Sequence, residues 1–357
     1  MNNQADVLYR VAAQIEPIEV TEITENDFPQ WEAFVESHSE ATFFHRIGWK
    51  KILEKVLGHK TYYLLAKCNG EVEGILPLAE VKSRLFGHSL VSLPFAVYGG
   101  IAAKTRRAFE ALDGYAQKLA SRLSVGHLEY RNIIAQHNDW PTSEIYVTFR
   151  KEIDPDVEKN MLAIPRKQRA MVRKGIKFGL VAEIDEDVNR FFKLYADNVH
   201  RHGTPALPKK YFALIKEVFG KDCELLIVTK DGKPISGVMT FYFRDEVLPF
   251  YAGDDLDARD LAGNDFKYWE LMKRGCERGY KVFDYGRSKR GTGSFDFKKN
   301  WGFEPTPLHY EYKLITATKI PENNPLNPKY RLMIATWKKL PIGIANWLGP
   351  HIVKYLG

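Results

Sequence analysis

One order of elements occurs twice in this chain. Residues 62–68, a turn at Asn69-Gly70 and residues 71–78 read as a hairpin, because β-branched, aromatic and aliphatic residues run into an Asn-Gly pair suited to a tight turn. Residues 225–228, Asp231-Gly232 and residues 235–243 repeat it. Further on, Pro94-Phe95-Ala96-Val97-Tyr98-Gly99 returns as Pro249-Phe250-Tyr251-Ala252-Gly253, and Glu129-Tyr130 returns as Asp284-Tyr285; 249 − 94 and 284 − 129 are both 155. A helix over 106–123 precedes the strand 127–131, as one over 264–278 precedes the strand at 282–285, and a further strand is expected around 91–97. Two related α+β domains follow. The expected division is a polar leader over 1–16, a first domain over 17–150, a second over 151–315 and a tail over 316–357. The hairpin turns lie 231 − 69 = 162 residues apart, so the first copy carries about seven extra residues, expected near 82–88.

A chain of 357 residues is long enough for two cores. Cys68, Cys223 and Cys276 form no CxxC or metal-spaced set, so no metal site is expected and reduced thiols are. The first residues lack a basic start followed by an apolar run, and no apolar run approaches bilayer length. A soluble, cytoplasmic protein is expected.

Chemistry concentrates between residues 282 and 303. A short apolar strand runs into Gly286, and a cationic loop spaced by glycine follows: Arg287-Ser288-Lys289-Arg290-Gly291-Thr292-Gly293. Ser294 is expected to cap a short helix that reaches Gly302. Such a loop suits a phosphate, or a carbonyl oxygen that becomes negative as it reacts; otherwise it is a basic surface loop.

Three other segments stand out. Pro165 opens a helix over 166–177 in which Arg166, Arg169 and Arg173 share a face and no acidic residue intervenes. It is either a solvated face or a contact for a phosphate-bearing substrate or RNA. Near the start, Phe43-Phe44-His45-Arg46-Ile47-Gly48-Trp49-Lys50-Lys51 sets aromatic residues beside cations, with His45 read as structural. From Asn323 to Gly357 there is no Asp or Glu, while Lys329, Arg331, Lys338, Lys339 and Lys354 are interspersed with Trp337, Ile344 and Trp347. This tail either rests on an anionic membrane surface, at the inner face of the plasma membrane, or straps the two domains together.

The second-domain order, with Phe297-Lys298-x-x-Trp301-Gly302-Phe303, resembles a GNAT-type N-acyltransferase core. The duplication and the FKxxWGF segment are more specifically similar to the FemAB family, which adds amino acids from aminoacyl-tRNA to peptidoglycan precursors. The run 283–305, with residues 42–53, resembles the FemAB-related proteins associated with exosortase and PEP-CTERM exopolysaccharide systems. The resemblance implies an α+β fold of two tandem GNAT-like domains with a short helical tail, and no cofactor.

Two departures bear on chemistry. The GNAT loop that holds the coenzyme A pyrophosphate is replaced here by a connection carrying Asp254, Asp255, Asp257 and Asp260, a poor cradle for an anion. The GNAT tyrosine that protonates a leaving thiolate lies five residues before the closing phenylalanine, and that position is Lys298. A lysine there matches the FemAB pattern, in which its charge stabilises aminoacyl transfer.

The implied activity is attack by an amine or hydroxyl of a glycan or cell-envelope precursor on an activated acyl donor, aminoacyl-tRNA or similar, with acyl-CoA transfer or a non-catalytic binding role as alternatives. The implied roles are oxyanion or phosphate stabilisation by Lys298, donor or acceptor anchoring by Arg287 and Ser288, and phosphate contact by Arg169 and Arg173. Asp284 either orients the amine or forms an ion pair with Arg287. Trp49 and Lys50 are expected at an acceptor headgroup, and Tyr251 and Tyr285 at the substrate.

Overall fold

The computed structural model describes residues 16–321 and 328–357; residues 1–15 of the expected leader and 322–327 of the expected tail lie outside them. Two mixed sheets carry the chain. In spatial order the first is Glu19–Glu22, Lys60–Cys68, Glu71–Ser83, Gly87–Val91, His127–Asn132, His309–Leu314 and Thr142–Ser143, with Ala102–Ala103 paired to Glu71–Ser83. The second is Ser288–Lys289, Tyr146–Glu152, Val282–Asp284, Glu246–Asp254, Lys233–Phe243, Cys223–Lys230 and Val181–Asp185, with Pro305–Pro307 paired to Tyr146–Glu152.

The repeat read from the sequence is present in space. Both hairpins turn on left-handed pairs, Asn69 and Gly70 at φ 50° and 83°, Asp231 and Gly232 at φ 50° and 78°. Each has a bulge a few residues away, at Ala66/Lys67 and Val228/Thr229. In each half one parallel strand pair is bridged by a helix, Arg106–Arg122 or Gly263–Glu277. Thr105 caps the first of these through Ala108 N–H, and its Ala108, Leu112, Ala116 and Leu119 face Leu64, Leu76 and Leu78 of the first sheet. The helix Lys209–Phe219 and the strand Val181–Asp185 complete the second half and lie beyond the elements anticipated above.

Two features depart from the sequence reading. The strand expected over 91–97 ends at Val91. Pro94 has no N–H for a ladder, and Leu93 and Phe95 are left-handed at φ 65° and 67°, so the chain leaves the first sheet and reaches the second. The sheets also do not divide at residues 150 and 315. Tyr146–Glu152 lies inside the second sheet, and His309–Leu314 returns to the first, pairing with His127–Asn132.

The core is shared as well. Phe43 stacks on Phe241 with ring centres 4.4 Å apart and touches Phe219 at 4.6 Å, so residues from the first half pack directly on the second sheet. Trp49 belongs to this seam: it is 0% exposed, and its indole N–H donates to Phe43 O at 3.2 Å. It is a core residue in this structure, because the short helix Gly48–Ile52 lies against Val218 and Phe219 too closely to leave a side chain at Gly48 any room.

The tail joins both halves. Pro328–Lys338 and Ile342–Val353 contact the helix Asn189–His202, Gly349 sits on Ala206, and Val353 is buried in the shared core. At the far end His59 Nε2 donates to Lys354 O at 2.7 Å, and Gly357 reaches Phe95. Val353→Ala is therefore expected to lower unfolding free energy by about 2 kcal/mol, and Trp347→Ala, an exposed neighbour, by close to none. An unchanged denaturant midpoint for Val353→Ala would show that the strap carries no stability.

Candidate active site

Val282–Asp284 runs beside Glu246–Asp254 for only two residue pairs, Glu246↔Val282 and Val247↔Phe283. Beyond them the chain turns at Gly286, φ 64°, and the two strands part. Asp284, at this parting, is 0% exposed. Its carboxylate accepts from Gly286 N–H (2.7 Å), Arg150 Nη1 (2.8 Å), Tyr98 Oη (3.0 Å) and Thr148 Oγ1 (3.4 Å). The expected ion pair with Arg287 is therefore absent and Arg150 takes its place. Cross-strand register sets Arg150 directly opposite Asp284, whereas Arg287 lies past the turn.

Behind the turn stands the short helix Gly293–Asn300. Thr292, rather than Ser294, caps it by accepting from Phe295 N–H at 3.4 Å; Ser294 already lies inside the helix and donates to Ser288 Oγ at 3.3 Å. Lys298 is 8% exposed and points back at the loop, its ammonium donating to Tyr285 O (2.7 Å), Gly286 O (3.1 Å) and Arg287 O (3.2 Å). Burial pushes its pKa down to about 7, with Asp284 opposing and Arg287 adding to the shift. Three carbonyl acceptors favour the charged form, since a neutral amine has only two N–H groups to give. Lys299 is exposed.

Arg287 lies over the Tyr146 ring at 4.6 Å and the Tyr310 ring at 5.6 Å, and donates to Tyr310 Oη at 3.2 Å. Among the described residues no carboxylate lies within ion-pair distance of it. Burial opposes its charge, but Tyr310 and Tyr146 outweigh that and its pKa is raised. Tyr285 is packed among Tyr268, Phe283 and Phe303, and its buried hydroxyl has no partner among the described residues. Tyr251 shares a hydrogen bond with the Tyr211 hydroxyl at 2.9 Å.

The fold thus gathers Asp284, Tyr285, Arg287, Ser288 and Lys298 around one turn. It sets the other expected residues elsewhere. Lys50 is held by Glu54 and by Thr61 Oγ1 at 2.8 Å. Arg169 and Arg173 lie on the helix Arg166–Lys177, whose six cations make no ion pair among the described residues and whose leading Pro165 abuts Gly302.

On the other side of Asp284 a cavity of ≈ 270 Å³ opens between the two halves. Tyr98 and Arg150 form its wall and contact Asp284 from there; Arg131, Arg244, Glu40, Asp245 and Glu246 add both signs of charge. Arg150 also pairs with Glu246, and Arg131 with the buried Glu129 at 2.8 Å. His45 lines the cavity as a neutral ring, its pKa lowered to about 4 by burial, accepting from Thr42 N–H at 3.0 Å and donating to Gly100 O at 2.9 Å. Arg150, Arg131 and Tyr98 escape sequence reading as site residues because they are far apart in sequence and meet only through the exchanged strand and the diverted loop.

The start of the helix Gly263–Glu277 is closed by its own neighbourhood. Asp265, in its first turn, is largely buried, which raises its pKa, and accepts from the Trp301 indole N–H at 2.9 Å. Asp255 accepts from Asp257 and Ala258 N–H, and the fully buried Lys267 donates to Asp254 at 2.8 Å. Two loop amides are thus satisfied by a carboxylate, and those of Leu261, Ala262 and Gly263 by the carbonyls of Asp257, Arg259 and Ala258, which leaves them unavailable to a pyrophosphate.

Residues 160–299 match the family model described as an acetyltransferase (GNAT) domain. The architecture is two tandem GNAT-like domains. The crystal structure of FemX superposes with a TM-score of 0.64 at 16% identity, covering 88% of this chain and 100% of that one. L-PGS from Bacillus licheniformis gives 0.54 at 12% identity, over 89% and 98% of the two chains. A tandem GNAT protein from the clavulanic acid biosynthesis pathway gives 0.54 at 12%, over 83% and 98%. No curated protein sequence matches the chain. At these identities the likeness is one of fold; with the domain match it supports an acyltransferase.

The carboxylate-filled loop predicts weak binding of acetyl-CoA at most. Calorimetric binding in the micromolar range that survives moderate salt would overturn this reading of the loop.

Proposed function

We propose that the protein is a FemAB-like aminoacyl or acyl transferase, moving an acyl group from an oxygen ester on a carrier such as aminoacyl-tRNA to an amine or hydroxyl of a cell-envelope or exopolysaccharide precursor. The observation that carries the proposal is a buried ammonium, Lys298, latched onto the turn at the parting of two strands, beside the half-buried Arg287. In the proposed reaction the acceptor nitrogen or oxygen bonds to the acyl carbon and loses a proton. The bond to the carrier oxygen breaks, and that oxygen leaves as the carrier hydroxyl after gaining a proton. Positive charge held in a water-poor site stabilises the oxyanion formed in between.

Lys298 acts through the loop it holds, polarising the peptide groups of residues 285–287, and Arg287 and Ser288 anchor the donor. The cavity beside Arg150 suits an acceptor carrying both an amine, for Glu40, Asp245 or Glu246, and an anionic group, for Arg131 or Arg244. Asp284 has no free surface and positions Arg150 and the turn. Arg169 and Arg173 are available to carrier phosphates from the adjoining helix. The filled loop at 254–260 disfavours acyl-CoA as donor.

One observation favours a non-catalytic reading: all three N–H groups of Lys298 are already engaged by the protein. Lys298→Met separates the two. Under the transferase reading it slows transfer by about a hundredfold or more, while Lys299→Met costs far less and both variants fold. Because the Lys298 pKa is lowered to about 7, its charged fraction falls as pH rises through that value, so the wild-type rate is expected to fall there and the residual Lys298→Met rate is not. With a donor and acceptor identified by mass spectrometry of co-purifying ligands, equal transfer rates in wild type and Lys298→Met would remove Lys298 from the mechanism, and no transfer above background by the wild type would leave only the binding role.

A further inference from the structure

The outward face of the tail is apolar, cationic and uncovered. The helix Ile342–Val353 buries Ala345, Gly349 and Val353 against the body, which sends Ile344, Trp347 and His351 to the opposite side. Trp347 is 70% exposed. In Pro328–Lys338, Ile334 and Lys338 contact Gly203, leaving Leu332 outward and 71% exposed, with Met333 beside it. Globular surfaces expose single large apolar residues routinely, but here Leu332, Met333, Ile342, Ile344 and Trp347 fall within sixteen consecutive positions. Arg331, Lys338 and Lys339 are exposed among them, none in an ion pair among the described residues, and no acidic residue occurs from Asn323 onward.

We propose that this face docks on an anionic lipid surface, with Ile344, Trp347 and Leu332 entering the headgroup boundary and Arg331 and Lys339 contacting lipid phosphates. Charge decides for lipid over a second copy of the chain. A symmetric contact through this face would oppose its cations to one another with no tail carboxylate to relieve them, whereas anionic headgroups neutralise all of them at once. The geometry is that of an interfacial segment: no helix among the described residues is long and apolar enough to cross a membrane, and a proline-bearing helix strapped to the body by Val353 presents only its outer side. The strap and the proposed docking face are two sides of the same helices, so the two roles do not exclude one another. This inference goes beyond the transfer reaction and does not depend on it.

Co-sedimentation of the full chain with phosphatidylcholine vesicles, with and without phosphatidylglycerol, tests the proposal. Binding is expected only with the anionic lipid and is expected to weaken with salt. Replacing Arg331 and Lys339 by Ser should weaken it about thirtyfold, and replacing Ile344 and Trp347 by Ser should weaken it at least about tenfold. All four side chains are exposed, so melting temperatures should be unchanged. Lys298→Met, in the transfer centre, should bind vesicles as wild type does, so the outcome here is separate from the outcome for catalysis. Absence of binding, equal binding to both vesicles, wild-type binding by both double variants, or self-association abolished by the Ile344/Trp347 change without vesicle binding would each overturn the proposal.

Discussion

The strand Tyr146–Glu152 leaves the first half of the chain to stand between Ser288–Lys289 and Val282–Asp284 in the second sheet, and His309–Leu314 comes back to close the first. Each sheet therefore depends on hydrogen bonds from a strand distant in sequence. The exchange brings Arg150 opposite Asp284, Tyr146 under Arg287, and Tyr310 between Arg287 and Val97 O. Together with the Phe43–Phe241 seam and the tail strap, it joins the two halves through a shared core.

Within that frame the turn at Gly286 carries opposed charges on either side. Asp284 is held by four donors, and Lys298 by three carbonyls. Buried charges are costly unless their hydrogen-bonding capacity is filled; here the turn carbonyls fill that of Lys298, and Gly286 N–H with Arg150, Tyr98 and Thr148 from outside the turn fill that of Asp284. The same bonds set the loop's shape and keep a positive field beside the parting strands. Rigid, charged and shielded from water, the turn has the attributes that electrostatic catalysis of acyl transfer requires.

The two ends of the second domain's parallel unit have diverged in character. At the helix Gly263–Glu277 the connection carries Asp254, Asp255 and Asp265, each with its own partner. At the turn, positive groups predominate, and the uncompensated cations of Arg166–Lys177 begin next to Gly302. A carrier bearing phosphates would be drawn to the second region and repelled from the first.

Much of this was legible in the residues. The duplication, both left-handed hairpin turns, the bridging helices and the short helix bearing Lys298 are local patterns, in which periodicity, turn chemistry and glycine placement act within a few positions. The glycine-spaced loop also pointed to the region where Tyr285, Arg287, Ser288 and Lys298 meet. What the tertiary structure decided is which partner each group finds. The pairing of His127–Asn132 with His309–Leu314, the choice of Arg150 over Arg287 for Asp284, the burial of Trp49 and the diversion of residues 92–100 depend on surfaces brought together across long stretches of chain. An apolar or charged residue records in sequence that it needs a neighbour, but not which one, because packing and register are satisfied in three dimensions and leave no local spacing to read.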